Sequence, residues 1–193
     1  RQRCSIRSGK AAPVWRASFP LTLSVSHPSG AAAPLSGIRG YAISVDRSAD
    51  GEPCRSASLC EDSETDLRGG ADDDALTLDS LGEGTSYVHA VAVSGAGVRS
   101  ASTGTVALRV DETDPVTVLA GVPNGWSRRP VTLVASARDD ASGMSRTPGG
   151  PQPFTAIRVD GGSPVTAAGT GVSATVIGSG VHTVAYYARD AAG

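Results

Sequence analysis

The sequence predicts an all-β chain built as two tandem sandwiches, and three observations carry that reading. Short runs rich in Val, Leu, Ile and Thr alternate apolar with polar residues, and no segment sustains a 3.6-residue apolar period. Gly and Pro, 24 and 12 of 193 residues, punctuate these runs as turns require. Three stretches also occur twice in the same order: "PLTLSVS" (20–26) and "PVTLVAS" (130–136), "AISVD" (42–46) and "AIRVD" (156–160), "GTSYVHAVAVSGAG" (84–97) and "GVHTVAYYARDAAG" (180–193). Any one match is weak in a Val- and Ala-rich chain. Three in order indicate two copies of one unit.

Strands are expected in the first unit at 19–27, 38–47, 74–81, 86–94 and 104–110, with an edge strand near 13–18. The second unit is expected to hold 116–120, 130–138, 154–160, 164–168, 172–177 and 181–189. Each is bounded by Gly, Pro, Ser or Asp. Residues 1–11 read as a linker or disordered lead-in, 12–110 as the first sandwich and 111–193 as the second. Pro115 stops the strand that ends at Val110 from running on through "RVDETDPV", which places a boundary there. The copies differ in length: 38 positions separate Asp46 from Gly84, whereas 20 separate Asp160 from Gly180, so the first carries about 18 more. That surplus falls in an acidic, cysteine-bearing insertion at about 48–73, expected on the surface.

Aromatics make up only 4% of the chain, so both cores must be built from aliphatic side chains. A net charge of −2 offers no basic footprint for nucleic acid. Lys10 is the single lysine, a bias expected of a GC-rich genome. No run of about 18 apolar residues is present, so no membrane span is expected. The opening "RQRCSIRSGK" lacks the apolar core of a signal peptide. Either the chain is cytosolic or an export signal lies outside it.

Cys54 and Cys60 enclose only "RSASL" among small polar and acidic residues, a context that favours a disulfide over two unrelated thiols. Closing that loop would stabilise the fold by about 2 kcal/mol in the chain-entropy account. Cys4 is left to pair elsewhere or to compete for Cys60. The spacing and three dispersed histidines do not make a zinc site.

The stretch "LGEGTSYVHAVAVSGAGVRS" carries Leu81, Gly84, Thr85 and Tyr87 in the L-x-x-G-T-x-Y pattern that leads into strand F of fibronectin type III domains. The first unit resembles that family. The resemblance implies a tyrosine corner at Tyr87 and core aromatics at Trp15 and Tyr41. The second unit resembles the bacterial immunoglobulin-like repeats of exported and surface proteins. Asp111, Thr113 and Pro115 match their D-x-T-x-P opening, "GW…PVTLVASARDDASGM" holds Trp126 and strand B, and Ala188, Asp190, Ala192 and Gly193 match A-x-D-x-A-G. Both resemblances imply spacers, adhesion modules or accessory domains, at an extracellular or cell-surface location, and neither implies catalysis. The implied partners are flanking domains of the same polypeptide and a cell-wall or extracellular glycan or protein.

The register between the two F strands stays open, with Tyr87 opposite either Thr183 or His182. The inward faces are taken as Tyr87, Val91 and Val93, with His89 partly buried, in the first unit, and Val184, Tyr186 and Ala188 in the second. By comparison with "GTVALRVD" (104–111) in the first copy, the second sandwich is expected to lack its final strand, leaving the F edge unpaired and the unit less stable.

No catalytic set is expected. His27 sits in a turn, His89 and His182 lie within strands, and no G-x-S-x-G is present. "GTGVSA" (169–174) has no helix behind it to hold a phosphate. Asp72 and Asp74, Asp139 and Asp140, and Glu61 and Asp62 read as solvated loop carboxylates. A calcium site is the minority reading, from Asp111, Glu112 and Asp114 at the junction, with Asp139, Asp140 or Asp190 approaching from loops. Exposed, coplanar Trp126 and Tyr187 would instead indicate sugar binding, the role of an accessory module of a polysaccharide-active enzyme.

Overall fold

The computed structural model describes residues 5–8, 15–16, 19–26, 34–54, 59–60, 68–69 and 73–193, with the side chains of 5–8, 68–69 and 73–74 left aside. In chain order the described strands are β1 (Ser5–Ser8), β2 (Trp15–Arg16), β3 (Leu21–Ser26), β4 (Ile38–Asp46), β5 (Arg68–Gly69), β6 (Asp73–Leu78) and β7 (Gly84–Ser94). They continue as β8 (Gly104–Val110), β9 (Val116–Ala120), β10 (Val131–Arg138), β11 (Phe154–Val159), β12 (Val165–Ala168), β13 (Gly171–Val176) and β14 (Val184–Arg189). Two compact units result, one of Arg1–Pro13 and Ser18–Val110, the other of Val14–Ala17 and Asp111–Gly193.

In the first unit one sheet has the order β1-β3-β6, and β8, β7, β4 and β5 neighbour one another in that order in a second. All pairings among these described strands are antiparallel. Alternation along β3 buries Leu23 and Val25 and exposes Thr22 and Ser24. These meet Leu76 from the same sheet and Tyr41, Ile43, Val88, Ala90, Ala92 and Leu108 from the other. Each large aliphatic buried here contributes about 1.5–3 kcal/mol. β1 falls inside the segment expected to be a linker. Its Ile6 lies opposite Val25, so the ladder it adds to β3 outweighs the polar composition around it.

The face expected for β7 is corrected. Val88, Ala90 and Ala92 enter the inter-sheet core, which turns Tyr87, His89, Val91 and Val93 to the other side. That side is not solvent. Cys54 and Cys60 of the insertion pack on Ala42, Val91 and Val93, and the two cysteines form a disulfide with Cα atoms 5.6 Å apart. The insertion is further held by Arg39, which donates from Nη2 to the Cys60 carbonyl at 2.8 Å, and by the Cys60 N–H, which donates to the Gly97 carbonyl at 2.8 Å. The disulfide therefore covers part of that sheet face. An all-apolar stretch such as "AVAV" is what a strand buried on both faces requires.

The Tyr87 ring stacks on His89, centroids 6.3 Å apart, on the face away from the core. Tyr41 is fully buried and Leu81 packs on the core, whereas Trp15 is half-buried. Cys4 and His27, with Glu61, Asp62 and Asp72, lie outside the described residues. Asp73 and Asp74 begin β6 and are not loop residues.

The second unit pairs the sheets β13-β10-β9 and β12-β11-β14. Its core is smaller: Leu133, Ala135 and Val172 from one sheet and Ile157 from the other, with Val184 and Leu119 packed on them. The register question resolves through the repeat. Ala42 lies opposite Val91 and Ala156 opposite Tyr187, so Val88 corresponds to Val184 and Tyr87 to Thr183. Tyr186 faces the same side as its partner Ile157, as expected, yet is 41% exposed. Trp126, expected as a structural aromatic, is 84% exposed in the "PNGWSRRP" loop. The second sandwich has no counterpart of β8 among the described residues; β14 pairs with β11 alone.

Candidate functional site

Three carboxylates meet at one end of the second unit. One oxygen each of Asp111, Asp139 and Asp190 lies within 4.8 Å of the others. Asp111 and Asp190 are buried and Asp139 is half-buried. Strand alternation explains why these three converge. Leu133, Ala135 and Ala137 point into the core from β10, and Asp139 is the next residue in that phase. Val184, Tyr186 and Ala188 take the inward phase of β14, and Asp190 continues it. Leu119 is inward on β9, and counting back by twos from it reaches Asp111.

Each carboxylate organises its own turn. Asp111 accepts from the Thr113 N–H through Oδ1 at 3.1 Å and from the Ser142 N–H through Oδ2 at 2.8 Å. Asp139 Oδ1 accepts from the N–H groups of Ala141 at 3.1 Å and Gly143 at 2.6 Å. Asp190 Oδ1 accepts from those of Ala192 and Gly193, both at 2.8 Å. These are Asx-type turns, in which a short carboxylate replaces the missing backbone acceptor. The Ala191 N–H donates to the Gly143 carbonyl at 3.0 Å, which ties two of the turns together.

The cluster thus closes the end of the sandwich by supplying buried acceptors to buried amides. The bonds to Asp139 and Asp190 fall on Oδ1. Their Oδ2 atoms are the ones a hard cation would take, and an all-oxygen set of this kind suits calcium or magnesium. Of the sequence candidates, Asp111 and Asp139 enter the cluster with Asp190. Glu112 and Asp114 are exposed outside it, and Asp140 forms a surface pair with Arg138 at 2.7 Å.

Two histidine pairs lie elsewhere. His89 is fully buried, beyond the partial burial expected. Its Nδ1 contacts Thr105 Oγ1 at 3.0 Å and its Nε2 the Ser48 carbonyl at 2.9 Å, with Asp46 Oδ1 at 3.3 Å. The ring is walled in on the side of Gly51, where a Cβ would collide with it. In the second unit His182 Nδ1 lies 2.7 Å from Asp160 Oδ2. That hydrogen bond, with a second from the Thr183 N–H, holds the Asp160 carboxyl below the usual carboxylate range. "GTGVSA" is a turn entering β13, with no helix behind it.

A groove of about 1050 Å³ opens at the His182 end of the same unit, lined among others by Leu119, Trp126, Val131, Val181 and Val184. Arg128 and Arg129 stand in its wall, and no carboxylate does. Tyr187 is not part of it. Its ring lies edge-on to Phe154, centroids 6.0 Å apart.

No protein-family model matches this chain, and no curated protein matches it.

Proposed function

We propose that the chain is a non-catalytic spacer or adhesion segment of a larger exported bacterial protein, whose two sandwiches separate or display other domains outside the cell. The observation that carries this reading is the repeat in series: two units with the same strand pairing, β4 on β7 and β11 on β14, each around its own core. Antiparallel sandwiches with separate cores resist extension one at a time, which is the property a spacer needs. The Cys54–Cys60 disulfide supports an oxidising compartment, where such bonds persist. No helix among the described residues is long and apolar enough to cross a membrane.

Single-molecule pulling of the 193-residue chain tests the reading. Two unfolding events are expected, and reduction should lengthen one by about 2 nm as the loop between residues 54 and 60 is released. A single weak event would contradict the spacer role. The alternative is an accessory carbohydrate-binding module, favoured only by the exposed Trp126. Saturable glycan binding that quenches Trp126 fluorescence would put it in place of the spacer reading.

A further inference from the structure

Three Asx-Gly pairs occur in the chain, Asp50–Gly51, Asn124–Gly125 and Asp160–Gly161. Such a pair rearranges unaided when the glycine nitrogen reaches the side-chain carbonyl carbon, which requires a free side chain and a backbone able to turn. Two of the three are held. A Cβ on Gly51 would collide with the Asp46 carboxylate and the His89 ring, and the Asp50 N–H donates to Ser48 Oγ at 3.2 Å. Asp160 and Gly161, with φ of 50° and 71°, form the centre of the tight turn between β11 and β12. The Gly162 N–H closes that turn on the Val159 carbonyl at 2.9 Å. The Asp160 carboxylate is pinned through both oxygens, by the Thr183 N–H at 2.8 Å and by His182 Nδ1 at 2.7 Å.

Asn124–Gly125 has none of these restraints. It lies between β9 and β10, where all of residues 121–130 are exposed. A Cβ on Gly125 would meet nothing within 4 Å, and among the described residues neither Asn124 nor Gly125 makes a hydrogen bond. Asn124 is also the chain's single asparagine. Exposed loops of this kind are where covalent change concentrates. The structure assigns Asn124 as a site of spontaneous deamidation, a modification that gives the loop between β9 and β10 a carboxylate. The Gly125 nitrogen bonds to Asn124 Cγ, the Cγ–Nδ2 bond breaks, and ammonia leaves with the Gly125 amide proton. Water then opens the cyclic imide. Entry at Cγ gives aspartate, and entry at the main-chain carbonyl gives isoaspartate, whose backbone runs through Cβ and Cγ. The loop otherwise carries Arg128 and Arg129 and no acid, so either product lowers its charge by one beside the exposed Trp126. The inference is independent of the spacer reading, because it concerns the chemistry of one loop.

The test ages the 193-residue chain in mildly alkaline buffer at physiological temperature and maps its peptides by mass spectrometry. The free peptide VPNGWSR, copied from residues 122–128, is the reference for an unrestrained pair. Asn124 in the folded chain should convert at a rate close to the peptide's, releasing ammonia and giving both aspartyl and isoaspartyl products. Asn124→Asp supplies the standard for the aspartyl form. Gly125→Ala, whose Cβ has open space, should slow conversion about tenfold while leaving thermal unfolding unchanged. The proposal is overturned by a rate in the chain about tenfold or more below the peptide's, which would show that the fold restrains this pair too. It is also overturned if G125A converts as fast as the wild type. Isoaspartate accumulating at Asp50 or Asp160 before Asn124 converts would overturn it as well, since the restraints described would then not govern reactivity.

Discussion

The two units descend from one pattern, yet they protect their F strands to different degrees. β7 is covered on both edges and both faces: β4 and β8 flank it, the inter-sheet core lies on one side and the disulfide-bearing insertion on the other. Among the described residues β14 has one partner strand, and on its core face Tyr186 stays partly in solvent. Among the described residues the inter-sheet core of the first unit holds nine buried side chains, including a tyrosine, where that of the second holds four, so hydrophobic stabilisation should be concentrated in the first. The second compensates at its end, where Asp111, Asp139 and Asp190 satisfy the amides of three turns. One sandwich is secured by apolar cover, the other more by polar closure.

Breaking the better-packed side should have the largest effect. Tyr41→Ala empties the centre of the first core and should cost about 3–5 kcal/mol, lowering the first thermal transition while leaving the second in place. A shift of both transitions together would mean that the units do not unfold separately. Removing the disulfide through Cys54→Ala with Cys60→Ala should cost the first unit about 2 kcal/mol, read from urea unfolding of oxidised wild type against the variant. An unchanged midpoint would show that the insertion does not hold Val91 and Val93 under cover.

On the second side, Asp111→Ala leaves the Thr113 and Ser142 amides without their acceptor and should cost on the order of 1–2 kcal/mol, confined to that unit. A stabilised variant would instead show that repulsion among the three carboxylates dominates. The smallest effect concerns pH. Asp160 is held below its ordinary value by His182 and the Thr183 amide, so its contribution is present above the unfolded pKa of about 3.9 and is lost as pH falls through the lower folded value. The melting temperature of the second unit should therefore drop in that acidic window, and Asp160→Asn should flatten the drop.

Strand positions were largely legible in the sequence, because alternation and turn residues act locally. β8 and β9 occupy the spans expected of them, and β3, β4, β7 and β10 to β14 differ from expectation by a few residues at their ends. β1 and the two-residue β5 were not legible, since each is fixed by the neighbour it pairs with and not by its own composition. The face of β7 was misread because burial on both sides erases alternation, and nothing local says that a disulfide loop will lie over Val91 and Val93. The acidic cluster was half legible. Extending the period of two past the strand ends selects Asp111, Asp139 and Asp190 and rejects Glu112, Asp114 and Asp140, but only once the inward phase of each strand is known.

Native-state hydrogen exchange on the 193-residue chain tests the central contrast most directly. In an antiparallel ladder, alternate amides of a strand point to opposite edges. Amides along β7 should all be strongly protected. Those of β14 should alternate, slow where they bond to β11 and fast where they face the open edge. Continuous protection along β14, equal to that of β7, would contradict an account in which the two sandwiches differ by an uncovered edge.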